Sequence, residues 1–219
     1  DAVYGLTEYA REELPGAKLV ACPGCYPTAS LLAVLPALKL IDTSQIVINA
    51  KSGVSGAGRK ESAALIYPEI AEGAHAYGIG THRHGPEIDE KLNAVTGQSS
   101  TVSFTPHLVP MNRGMIATVN VHLNDGVSVA DLRTAYEARY KDEAFVHVEP
   151  EGVVPHTRHI RASNQCRIGV FADRNPRRAI IVSVIDNLTK GSSGQAVQNL
   201  NAMMGWDETL GLNLVPIFP

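Results

Sequence analysis

The sequence has no surplus of either charge, no long apolar run and few cysteines, and each shortage removes a class of function. Lys plus Arg number 19 against 22 Asp plus Glu in 219 residues, a net charge of -3. A nucleic-acid binder or a polybasic membrane binder needs a positive surplus that is missing here. No stretch reaches about 18 apolar residues, so no membrane span is expected. The most apolar stretch, 29–41, is interrupted by Pro36 and Lys39. The opening residues Asp1-Ala2-Val3-Tyr4-Gly5 lack the basic start and apolar segment of a secretory signal. They also lack an initiator Met, so a processed or truncated chain is expected. No internal repeat or low-complexity segment is present. What remains, 44% hydrophobic and 19% charged residues, is the composition of a folded chain. At about 150 residues per domain, the length corresponds to roughly one and a half domains.

The three cysteines are Cys22, Cys25 and Cys166. An odd count in a chain this long argues against a disulfide framework and for a reducing compartment, hence a cytoplasmic location. Cys22-Pro23-Gly24-Cys25 admits several readings. A zinc half-site would need a second ligand pair such as His82/His84 or His156/His159, but there is no second C-x-x-C. A thioredoxin-like redox pair also sits at a strand-to-helix turn. Cys25 alone could be a nucleophile, with Cys22 incidental. A pair of buried, inert thiols is the plain alternative.

Local patterns predict a helix over 6–14 ending at Pro15-Gly16, a short strand over 19–21, and a helix over 27–40 with one broad apolar face. Strands are predicted over 45–50, 75–79, 101–105, 115–123, 145–149, 165–171 and 178–186. Met115 to Leu123 alternates clearly between apolar and polar positions. Helices are predicted up to about Ile66, limited by Pro68, then over 86–95, from a Ser128–Asp131 capping box to about Tyr140, and over 190–204. Strands recur without a helix between each pair. That points to an α+β domain with a mainly antiparallel mixed sheet, not a doubly wound fold.

Cys25 lies after a strand and at the start of a helix, where free N–H groups and the helix dipole favour a thiolate, the nucleophilic form. Thr81-His82-Arg83-His84-Gly85-Pro86-Glu87 offers a proton-transfer partner, and in an extended stretch His82 and His84 point the same way. His84 precedes a helix start, which lowers its pKa, while a nearby thiolate raises it. The loop 52–60 carries glycines, serines and Arg59-Lys60, and backbone N–H groups with basic side chains suit a phosphate. Its spacing is neither G-x-G-x-x-G nor a P-loop, and an ordinary flexible loop fits as well. Arg113 is a second possible anion contact. The Gly191–Gly194 turn either approaches a cofactor phosphate or simply packs closely.

Cys22-Pro23-Gly24-Cys25-Tyr26-Pro27-Thr28 resembles the P-G-C-Y-P-T signature of the N-acetyl-gamma-glutamyl-phosphate reductases of arginine biosynthesis. Further blocks follow in the family's order: 52–59 (S-G-V-S-G-A-G-R), His82-Arg83-His84 with Pro86-Glu87-Ile88, Phe104 to Leu108, Arg113-Gly114, and Asp186-Asn187-Leu188 through Lys190-Gly191 and Gly194 to Gln198. The resemblance implies a glyceraldehyde-3-phosphate-dehydrogenase-like catalytic domain with helices packed on one face of the sheet. It implies NADPH-dependent reduction of an acyl phosphate to a semialdehyde through a Cys25 thioester, with His84 as acid and base. Arg59 and Arg113 would hold phosphate or carboxylate, with His82 and Glu87 also on the substrate side; Glu87 either orients His84 or complements the helix dipole. Ser52, Gly53, Asn187, Gly191 and Gly194 would line the nicotinamide side. No metal is implied, and the chain would form a homo-oligomer through its sheet.

Two departures stand out. Cys22 occupies a position often filled by asparagine, which exposes the site to a Cys22–Cys25 disulfide. The family's dinucleotide-binding turn is also absent. The implied division is residues 1–24 as a remnant of that domain, 25–189 as the catalytic and oligomerisation domain, and 190–219 as a helix and tail returning toward it. The competing expectations are a non-catalytic assembly fragment, a sibling semialdehyde dehydrogenase and, least favoured, a thioredoxin-like oxidoreductase.

Overall fold

A computed structural model describes residues 1–59 and 61–217; Lys60 of the glycine-rich loop lies outside the described residues. Seven strands form the main sheet: β3 (Val47–Gly53), β4 (His75–Ala76), β5 (Ser103–Val109), β6 (Met115–His122), β7 (Val146–Val148), β8 (Cys166–Ala172) and β9 (Arg178–Ile185). Their order is β4-β5-β3-β6-β9-β8-β7. β3 with β5 and β7 with β8 are parallel, and the other neighbours are antiparallel. This is the expected α+β architecture with a mainly antiparallel mixed sheet. A separate parallel pair, β1 (Val3–Tyr4) and β2 (Val20–Ala21), leads into the Cys22–Cys25 turn.

Alternation sets which face is covered. Ile48, Phe104, Val119 and Ile181 lie in register across four strands, and all are buried. Helices α2 (Cys25–Val34), α4 (His84–Thr96) and α5 (Val129–Tyr140) pack on that side. The opposite face carries half-buried Asn49, Lys51, Thr105, Thr118 and Asn120 at the centre of the sheet. α5 starts at the anticipated capping box, with Ser128 and Asp131 bonded reciprocally.

α2 departs from the one-faced helix read from its sequence. Every residue from Tyr26 to Val34 is buried, because the helix is enclosed by the sheet, α4 and the turn after β9. It begins at Cys25 itself, with Gly24 as the flanking residue, and gives way at Leu35–Ala37 to a tighter turn containing Pro36. A helix interior would lose a hydrogen bond there.

Other elements also differ from their local patterns. The stretch before Ile66 is a single 3-10 turn, Ala63–Leu65. Pro68 opens the next short helix, α3 (Tyr67–Ile70), instead of ending one; proline suits a first turn because its missing N–H is not needed there. The 6–14 helix shortens to α1 (Thr7–Ala10) followed by turns. The strand expected over 75–79 stops at Ala76, just before Gly78 turns the chain at φ +54°. The last helix, α6 (Gly194–Met203), is preceded by a π-turn, Thr189–Ser193, in which Leu188 O accepts from Ser193 N. Such turns concentrate at functional sites.

Candidate active site

β2 and α2 place Cys25 at a helix N-terminus, half-buried. Three other segments converge on it. The π-turn brings Gly191 so close that a Cβ there would stand 2.8 Å from the Cys25 Cβ. The first turn of α4 brings His84, whose Nε2 lies 2.3 Å from where a Gly24 Cβ would be. The end of β3 supplies Ser52, which faces the same cavity of about 400 Å³ as Cys25, Tyr26, His82 and His84.

The two histidines are neighbours for a reason other than an extended strand. Residues 78–85 form turns, with His82 N donating to Gly78 O and Gly85 N to His82 O. His84 N then donates to His82 Nδ1, and the two rings sit 4.8 Å apart, edge-on. Tyr26 packs against both rings, and its hydroxyl donates to His107 O while accepting from Tyr77. His84 is 7% exposed and its Nδ1 has no hydrogen-bond partner among the described residues. Burial, with positive charge on His82 and Arg83 adding to it, lowers the His84 pKa to about 4. At neutral pH His84 is therefore an uncharged imidazole.

Burial also raises the Cys25 thiol above its ordinary value. The N–H groups of Tyr26 and Cys25, and then Arg83, pull it back only in part. The resting thiolate expected from the helix N-terminus alone does not hold in this arrangement, because desolvation outweighs the dipole.

The remaining candidates divide. Glu87 does not face the cavity: its Oε1 accepts from Gly24 N at 3.0 Å and from the Tyr4 hydroxyl at 2.9 Å. Both hydrogen bonds lead to the cysteine turn and the strand before it, and none to His84. Sequence reasoning gave Tyr4 no part in the site, because it meets α4 only through folding. Arg113 points its Nε at buried Asp186, 2.9 Å away. Arg59 is exposed beside Gly58 and Glu61, in a depression that shares Ser62 and Leu65 with the Cys25 cavity. Asn187 is buried and committed at both ends, with Oδ1 accepting from Gly114 N and Nδ2 donating to Ser55 Oγ. It ties the loops after β3, β5 and β9 together. Gly53 lets the 111–113 backbone approach, and Gly194 packs against the Asn164 side chain and Thr189.

The loop over 52–59 is less of an anion cradle than its composition suggests. The N–H groups of Gly53, Val54, Ser55 and Gly58 already donate to Gly114, Met111, Asn112 and Ser55 carbonyls. Cys22 is exposed, with Asn199 Nδ2 at 3.6 Å from its sulfur, and all three cysteines are free thiols. Glu8, Glu143 and Glu208 approach closely enough to share a cation, but Lys190, Arg11 and Arg139 already pair with them. A larger cavity of about 750 Å³, near Lys39, His122 and Arg177, lies at the other end of β6 and is lined by no cysteine or serine. Among the described residues no helix is long and apolar enough to cross a membrane.

The chain is similar to known proteins in both sequence and fold. Residues 25–187 match the family model of the semialdehyde dehydrogenase dimerisation domain. Over 221 aligned positions the whole chain is 54% identical to N-acetyl-gamma-glutamyl-phosphate reductase of Rhodospirillum rubrum, covering 63% of that protein. It is 55% identical to a probable chloroplastic N-acetyl-gamma-glutamyl-phosphate reductase of Arabidopsis thaliana, covering 55% of it. The chain thus spans between half and two thirds of these relatives. Among solved structures, aspartate semialdehyde dehydrogenase II of Vibrio cholerae superposes with TM-score 0.73 at 16% identity, over 93% of this chain and 68% of that one. A probable aspartate-semialdehyde dehydrogenase of Pseudomonas aeruginosa gives 0.71 at 18%, over 90% and 66%. These two likenesses concern the fold.

Proposed function

Because the chain belongs to the semialdehyde dehydrogenase dimerisation-domain family and aligns along its full length with N-acetyl-gamma-glutamyl-phosphate reductases, we propose that it carries the catalytic part of that reaction. The substrate is N-acetyl-gamma-glutamyl phosphate, and the product is its semialdehyde. The observation that carries the reading is the packing of neutral, buried His84 against Gly24, the residue before Cys25.

His84 takes the thiol proton as Cys25 Sγ attacks the acyl carbon. The carbon–oxygen bond to phosphate breaks, inorganic phosphate leaves, and a thioester remains on Cys25. The residues fit the nicotinamide end of NADPH. Gly191 brings backbone against Cys25 where a side chain would collide, and Ser52 faces the same cavity. When bound, NADPH would supply the hydride that reduces the thioester. His84, holding the proton it took from the thiol, would give it to the oxygen of the reduced adduct on Cys25 and would take it back as the adduct collapses and the thiolate leaves. Arg113, held by Asp186, would meet the substrate's carboxylate or phosphate, with His82 also on the substrate side; exposed Arg59 lies in the adjoining depression.

Residues 25–189 make the catalytic and assembly unit in this reading. A second copy would pack on the face of the sheet that carries half-buried Asn49, Thr105, Thr118 and Asn120, forming a homo-oligomer. Residues 1–24 and 190–219 would associate with a dinucleotide-binding region. They already pack together, since Gln195 and Asn199 of α6 donate to Gly5 O. A reducing compartment such as the cytoplasm keeps Cys25 a thiol.

The test is single-turnover acylation, which needs no NADPH. Incubation with N-acetyl-gamma-glutamyl phosphate should release up to one phosphate per chain and add the acyl mass to the Cys25 peptide. Phosphate release that survives Cys25→Ala would refute the reading.

A further inference from the structure

We propose that Tyr4 is a positioning residue which, acting through Glu87, holds the Cys25 turn against the helix that carries His84. The inference rests on reading Cys25 and His84 as the reacting pair.

The contacts form a clamp. Glu87 lies one turn after His84 on α4 and outside the cavity. Its single oxygen Oε1 accepts from both Gly24 N and the Tyr4 hydroxyl. Lys91, one turn further along α4, sets its ammonium 4.4 Å from the centre of the Tyr4 ring. Tyr4 is also fixed to the cysteine turn from the other side. β1 pairs with β2 so that Tyr4 lies opposite Ala21, and Gly5 N donates to Ala21 O. One residue therefore joins both bodies whose separation sets the His84-to-Cys25 geometry, through its side chain to α4 and through its backbone to β2. Hydrogen bonds to a carboxylate are the stronger kind, and this one also engages the N–H of the residue flanking α2.

The chemical consequence concerns the thiolate. The N–H groups of Cys25 and Tyr26 stabilise it, and they are aimed by the turn that Glu87 grips. Loosening that turn weakens their aim and raises the pH at which the thiolate forms. The Glu87 charge acts on Cys25 in the same direction, because a nearby negative charge disfavours the thiolate. Removing the Tyr4 hydroxyl and removing the Glu87 charge should thus move Cys25 oppositely, which a merely stabilising hydrogen bond would not do.

The experiment measures the rate of Cys25 alkylation by iodoacetamide from pH 5 to 10 in the 219-residue chain. A Cys22→Ser background removes the exposed thiol, and peptide mass spectrometry locates the label. Tyr4→Phe should raise the pH midpoint and slow alkylation near pH 7 by about three- to tenfold, the effect of weakening one hydrogen bond to the thiolate. Glu87→Gln, which keeps an acceptor and loses the charge, should lower the midpoint. Circular dichroism and melting curves would show both variants folded. An unchanged midpoint in folded Tyr4→Phe, with Cys25 still reactive, overturns this inference alone. A parent Cys25 that reacts at no pH overturns both this inference and the proposed function.

Discussion

Replacing Gly24 with alanine adds one methyl group at the point where α4 meets the cysteine turn. The backbone tolerates it: Gly24 has φ -63° and ψ 161°, open to any residue, and its N–H can still reach Glu87. The cost is steric. The new carbon would stand 2.3 Å from His84 Nε2 and 2.8 Å from Cδ2. Nonbonded heavy atoms settle at about 3.5 Å, so the ring must retreat by roughly 1 Å. It has little room, being buried and edged by Tyr26 and His82. Overpacking of this kind costs about 1–3 kcal/mol, or a melting temperature lower by about 2–4 °C per kcal/mol for a chain of this size. A misplacement of about 1 Å in a reacting group can cost about a hundredfold in rate. A melting curve and the single-turnover phosphate release measure both. If Gly24→Ala melts with the parent and releases phosphate within about threefold of its rate, His84 does not occupy the position described.

Further consequences can be checked separately. The folded pKa of His84, about 4, lies below its ordinary 6.5, so between those values the unfolded chain binds a proton that the folded chain refuses. Its contribution is present above pH 6.5 and lost as pH falls toward 4, at most on the order of 3 kcal/mol, and His84→Gln should flatten that acid limb in urea unfolding. Lys190, fully buried, is paired with Glu8 and Gln198. Lys190→Met strands the Glu8 carboxylate and should cost about 3–5 kcal/mol in urea unfolding; a loss under 1 kcal/mol would argue against a charged pair. Cys22→Ser should leave stability within about 0.5 kcal/mol, as exposed sites usually do, and should leave acylation intact. Loss of acylation in that variant would favour a two-cysteine mechanism.

Much of the sheet was legible because alternation is local. Ala117, Val119 and Val121 already marked the buried face of β6, and Ser128 with Asp131 marked the start of α5. α2 was harder: a helix enclosed on every side has no polar stripe, so five apolar residues read as one broad face. Pro68 was misread because proline interrupts a pattern without saying which side of it is helical; the helix over 190–204 was foreseen, but not that its first turn is a π-turn.

The sequence by itself determined the reactive residue types and their place at element ends: Cys25 at a helix start, paired histidines before α4 and glycines before α6. Those depend on neighbours in the chain. Only the tertiary structure decided what those residues are chemically. Burial of the turn, supplied by elements far away in sequence, raises the Cys25 thiol that the helix dipole alone would lower, and keeps His84 neutral. Tyr4 reaches Glu87 across 83 positions, and Asn187 reaches Ser55 across 132. Desolvation and long-range hydrogen bonds arise from the packed solid around a group, and no short window of sequence contains it.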